Sequence, residues 1–62
     1  MMPHPQMVLR ARAEARGYLW RIGEFDADEA TAPLYVYAVE SGLVDEIGAE
    51  ACRMLIEIAF EG

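Results

Sequence analysis

The residues of this chain that could do chemistry are few: His4, Ser41, Cys52 and eleven carboxylates among 62 residues. A catalytic constellation needs a nucleophile or base, a group that orients it and a pocket that excludes water. His4 stands between two prolines in a stretch without periodicity, Cys52 falls on the apolar side of a C-terminal amphipathic segment, and Ser41 precedes Gly42 at the end of an apolar run. Spacing brings no two of them together. The acids cluster away from apolar residues, so none has the desolvated surround that general acid-base work requires. One cysteine and one histidine do not make a zinc site, and the scattered Gly17, Gly23, Gly42 and Gly48 build no phosphate-cradling loop. Asp26 and Asp28 fit the first two ligand positions of a calcium loop, but Ala30, Thr31 and Tyr37 stand where the loop needs a ligand, a glycine and a glutamate. We expect no catalysis, no metal and no cofactor. Cys52 is expected to be a buried, inert thiol.

Charge is more informative than chemistry. The net charge is -6, yet Arg10, Arg12, Arg16 and Arg21 all precede Ile22 with only Glu14 against them, so residues 1–21 carry +3. The remaining residues carry ten acids against Arg53 alone, or -9. Arg10 and Arg12 lie about 200° apart on a helix, and so acidic a chain repels phosphate, so direct nucleic-acid binding is not expected. The arginines should instead pair with the chain's own acids. Lysine and asparagine are absent while alanine and arginine are plentiful, the bias of a GC-rich bacterial or phage genome. No run approaches the roughly 20 apolar residues of a membrane span, and the first residues lack the apolar core of a signal peptide. The expected place is the cytoplasm of a bacterial host cell, without a membrane partner.

These features must be positioned by very little structure. A chain this short is read as a single small domain over residues 1–62, with residues 1–5 a flexible tail and His4 solvated within it. Folding at this size buries only about 60% of the unfolded surface, so help from a partner or a second copy is expected. From Gln6 the sequence is rich in helix formers, with Val8, Ala11, Ala15, Tyr18 or Leu19 and Ile22 at helical spacing, and the helix is expected to end at Gly23. Residues 34–39, Leu-Tyr-Val-Tyr-Ala-Val, have strand-like composition, but Thr31 as a cap, Pro33 in a first turn and the Ser41-Gly42 stop favour a helix. The last third, Leu43 to Phe60, reads as one amphipathic helix capped by Asp45, its apolar arc covering roughly 240°. So wide an arc needs two partners. Ile56 and Phe60 lie furthest from its centre and are expected to be left for a second copy, with Val44 and Met54, in a homodimer. The fold class expected is all-α, a compact three-helix domain. The alternative is an α+β domain with a hairpin of residues 18–22 and 34–40 between two helices.

The acids Glu24, Asp26, Asp28, Glu29, Glu40, Asp45, Glu46, Glu50, Glu57 and Glu61, in a lysine-free chain of this size, give it a composition that resembles the small acidic inhibitors of phages and mobile elements, including anti-CRISPR proteins and other DNA mimics. The resemblance is one of composition over the whole chain and carries no motif. It implies an inhibitor whose ten acids occupy the nucleic-acid channel of a basic protein or complex. The alternative is a dimerising helical adaptor or small regulatory subunit acting through an apolar helix face.

Overall fold

The computed structural model describes residues 3–61, and among these the elements are all helical: α1 Pro5–Arg21, α2 Ala27–Glu40, α3 Leu43–Ile47 and α4 Ala49–Ala59. The all-α expectation holds, and the hairpin alternative fails because residues 18–21 and 34–40 are both helical. Residues 34–39 have the composition of a strand but lie wholly within α2, and Pro33 sits inside that helix, not in its first turn as expected.

The helix ends are well made. Pro5 occupies the first turn of α1, where its missing N–H costs nothing. The His4 side chain caps it, Nδ1 accepting from the Gln6 N–H at 3.1 Å. His4 is therefore a cap and not part of a loose tail; Met1 and Met2 lie outside the described residues. At the other end Gly23, at φ +84°, lets its own N–H reach the Trp20 carbonyl and that of Glu24 reach the Leu19 carbonyl, a Schellman stop. Helix α2 starts earlier than expected. Its cap is Asp26, not Thr31, in a reciprocal box with Glu29, while the Thr31 hydroxyl donates back to the Ala27 carbonyl at 2.8 Å.

The C-terminal third is not one helix. Gly48 sits at φ +94°, ψ 152°, far from helical values, and closes α3 while opening α4. Asp45 accordingly lies in the first turn of the one-turn α3 and makes no capping bond. The break lets Leu43, Val44 and Ile47 turn into the core before α4 sets off along α1.

Each long helix buries a row at spacing four: Leu9, Ala13 and Gly17; Ala30, Leu34 and Ala38; Cys52 and Ile56, with half-buried Phe60 one step further. Such rows are the ridges that pack helix on helix. This differs from the row expected for α1, since Ala11, Ala15, Tyr18 and Ile22 are exposed. Small residues decided it: a Cβ on Gly17 would run into the Ala59 carbonyl, so α1 and α4 touch backbone to backbone. His4 bonds to Glu46 and Arg21 reaches the carbonyls of Ala59 and Glu61, which makes α1 and α4 parallel and α2 antiparallel to both.

A candidate partner-binding surface on α2

The ten acids expected to bind a partner are all exposed, but they do not form one face. The topology puts Glu40, Asp45, Glu46 and Glu50 around the α2–α3–α4 corner. Glu24, Asp26, Asp28 and Glu29 lie at the opposite pole, where Arg21 also brings the end of α4 and Glu61. Asp28 and Glu40 are twelve residues apart on α2, about 18 Å along its axis. The ridge expected from Glu46 to Glu61 on a single helix is broken at Gly48, with Glu46 on α3 and only Glu50 and Glu57 on α4. Asp26 and Glu29 also have structural work in the capping box, the Glu29 N–H donating to Asp26 Oδ1 at 2.8 Å. Among the described residues no group of three or more His, Cys, Asp or Glu converges in a way that could hold a metal ion.

The arginines are mostly occupied within the fold, though not chiefly by acids. Arg12 lies over the Tyr37 ring at 4.5 Å and Arg16 over the Phe25 ring at 4.8 Å. Arg21 caps the end of α4 through the Ala59 and Glu61 carbonyls. Arg10 meets Glu14 at 3.9 Å, and Arg53 bridges Glu50 and Glu57 at 3.7 and 3.8 Å, as its spacing in the sequence implies. His4 Nε2 meets Glu46 at 2.9 Å. Among the described residues no cation lies within ion-pair distance of Asp28, Glu40 or Asp45.

The free apolar surface, expected on the C-terminal helix, is instead spread over three helices, with Met7 and Tyr18 on α1, Tyr35, Val36 and Val39 on α2, and Met54 and Ile58 on α4. Ile56 is fully buried, and Phe60 is half-buried with its ring 5.4 Å from that of Trp20. Val44 is half-buried against the core, whereas Met54 is exposed as expected and Ile58 is exposed with it. Helix α2 packs one row inward and turns Tyr35, Val36 and Val39 outward, at 39%, 53% and 64% exposure. With exposed Ala32 these follow the i, i+3, i+4, i+7 spacing of a single helical stripe. The signal was present in the sequence: residues 34–39 have no polar position at all, so a helix there cannot show water a polar face.

Beside this stripe runs a furrow of about 520 Å³ between α2 and the α3–α4 corner, walled by Tyr35, Ala38, Val39, Val44 and Ala49, with Cys52 at its floor and Glu50 and Arg53 at its rim. On the other side of Tyr35 and Val39 lies an open, almost wholly apolar depression of about 330 Å³ over Val36, edged by Glu40. Burial pushes the pKa of the Cys52 thiol above its ordinary value, which favours the protonated form. Of the aromatics, Trp20 and Tyr37 are half-buried while Tyr18 and Tyr35 are exposed. Among the described residues no helix is long and apolar enough to cross a membrane. Set against protein-family models, curated proteins and solved structures, the chain matches none.

Proposed function

We propose that this protein is a non-catalytic binding module that occupies a basic site on a protein partner, anchored by the α2 ridge and steered by its carboxylates. One observation carries this reading. From Ile22 to Cys52 the chain holds eight carboxylates and no arginine, lysine or histidine, and the exposed ridge Tyr35, Val36 and Val39 lies in the middle of that stretch. An apolar centre with a polar rim is the anatomy of a protein interface, and tyrosine is among the side chains that dominate its energetics. Rim charges mainly set the encounter rate and the choice of partner.

A strongly basic protein surface is the footprint of nucleic-acid binding. The action proposed is therefore that of an inhibitor of the anti-CRISPR or DNA-mimic kind, which blocks such a site. Two acidic poles about 18 Å apart are a sparse copy of a duplex, which carries one charge per about 1.7 Å. The ridge between them has to supply what the charges do not. In the alternative, a helical adaptor, the ridge alone would bind and the charges would only keep the protein soluble.

Capture of partners from host lysate separates these. The wild type is compared with Val39→Asp and with the pair Asp28→Arg and Glu40→Arg, at physiological salt and at about 1 M, where charges are screened beyond about 3 Å. The inhibitor reading expects a basic, nucleic-acid-binding partner that salt and added DNA both displace and that either variant loses. A partner retained at high salt and indifferent to DNA supports the adaptor.

A further inference from the structure

Resting on that reading of the α2 ridge, we propose that the element it grips is a basic amphipathic helix laid along the furrow between α2 and the α3–α4 corner. The furrow has room for large side chains because Ala38, Ala49 and Cys52 in its lining are small. It opens beside the ridge of a helix of fourteen residues, about 21 Å long. A second helix packed there would offer anchors at i, i+3 or i+4 and i+7, the pattern by which helices fill grooves. An extended segment has less to gain. The backbone groups of α2 are spent inside the helix, so there is no free edge to receive a strand.

The sign of the partner's charge follows from the acids around the ridge. In the furrow itself Glu50 faces Arg53, which is shared with Glu57 and leaves that trio one negative charge in excess, while Glu40 edges the neighbouring depression beyond Tyr35 and Val39. Asp28, Glu40 and Asp45 add charges that no cation among the described residues balances within ion-pair distance. A second copy docked α2 against α2 fits poorly. No basic residue stands on α2, and an antiparallel pairing about Tyr35 and Val36 would bring Asp28 of one copy toward Glu40 of the other. A helix with lysine or arginine flanking its apolar stripe meets the same acids favourably.

The test uses the full chain and a fluorescent helical peptide of leucine and lysine in amphipathic order, with its leucine–glutamate counterpart, read by anisotropy at physiological salt. The lysine peptide is expected to bind and the glutamate peptide not to. Val39→Asp discriminates further, because it adds a negative charge at an exposed position and disturbs no core. Attraction by charge alone would be unchanged or tightened by it, whereas the proposal expects about tenfold weaker binding or more, the loss of one anchor. Val36→Asp should act alike, and Ala11→Asp on the far side of α1 should not weaken binding. Equal binding of the glutamate peptide, or full binding by Val39→Asp, overturns the proposal. So does a dimer of the peptide-free protein that Val39→Asp dissociates, since the occupant is then a second copy. If the peptide fails while lysate capture still depends on Val39, the helical partner is wrong and the binding module stands. If capture is indifferent to Val39, the module reading falls as well.

Discussion

Arg16 stands in for the N–H that Pro33 lacks. Its Nη2 donates to the Glu29 carbonyl at 2.9 Å, the carbonyl whose ordinary helical partner would be the N–H of residue 33, and its Nε donates to the neighbouring Ala30 carbonyl at 2.7 Å. A proline inside a helix leaves an acceptor without a donor and crowds it with its ring. A side chain of α1 thereby repairs the backbone of α2. Arg16→Met should lower stability by roughly 1.5–3 kcal/mol, the range for a hydrogen bond to a charged group. In the Pro33→Ala background, where the backbone bond can form, the same change should cost clearly less. Urea melts of the four proteins check this, and strict additivity would show that the two residues are uncoupled.

Gly17 reverses a familiar sign. Glycine to alanine in a helix interior ordinarily gains about 1 kcal/mol. Here the added methyl meets the Ala59 carbonyl, and backbone cannot swing aside. Gly17→Ala should therefore destabilise by about 1–3 kcal/mol, the cost of overpacking. A variant that melts higher than the wild type would mean that α1 and α4 are further apart than described.

The orientation of α4 is open to a direct comparison. Ile56 is fully buried while Met54 and Ile58 are 56% and 61% exposed. Ile56→Ala should cost about 2–5 kcal/mol by loss of burial and formation of a cavity. Met54→Ala and Ile58→Ala should each stay within about 0.5 kcal/mol. Equal losses at all three would place the helix in another rotation.

The carboxylates at the start of α2 divide by role. Asp26→Ala should cost about 1 kcal/mol, because it removes the acceptor of the Glu29 N–H. Asp28→Arg, exposed and outside the capping box, should change the melt little while it alters binding that depends on charge. Charge reversal at Asp26 or Glu29 is thus a poor probe of recognition, since it disturbs the helix start.

Cys52 sets a pH dependence of defined sign. Its thiol pKa is raised by burial above the ordinary 9.0, so near that pH the folded chain holds a proton that the unfolded chain releases. Stability from this group is whole below the unfolded value and is lost as pH rises through the folded one. Melts of wild type and Cys52→Ala should diverge in slope above about pH 9, the wild type falling faster. Thiol reagents should react with Cys52 slowly in the native protein and fast in urea.

Several features were open to the sequence because they are local. Gly23 and Gly42 stop their helices by backbone freedom that no neighbour has to supply, and Arg53 meets Glu50 and Glu57 because three and four residues make one turn. The unbalanced charge is likewise a property of the string. Which helical face turns inward is a different kind of fact. In α1 the Ala11–Ala15 row looked as apolar as the true one, and only the close approach of Gly17 to Ala59 selects Leu9 and Ala13. In the last third, Gly48 could continue a helix or break it, at a local difference of about 1 kcal/mol. The burial of Leu43 and Ile56, worth about 1.5–3 kcal/mol each, outweighs that and fixes the break. That break carries α4 onto α1 and buries Ile56, with Val44 and Phe60 half-buried and Met54 still exposed, while Tyr35, Val36 and Val39 face water. Contacts between residues far apart in sequence chose this surface, and they exist only once the helices have packed.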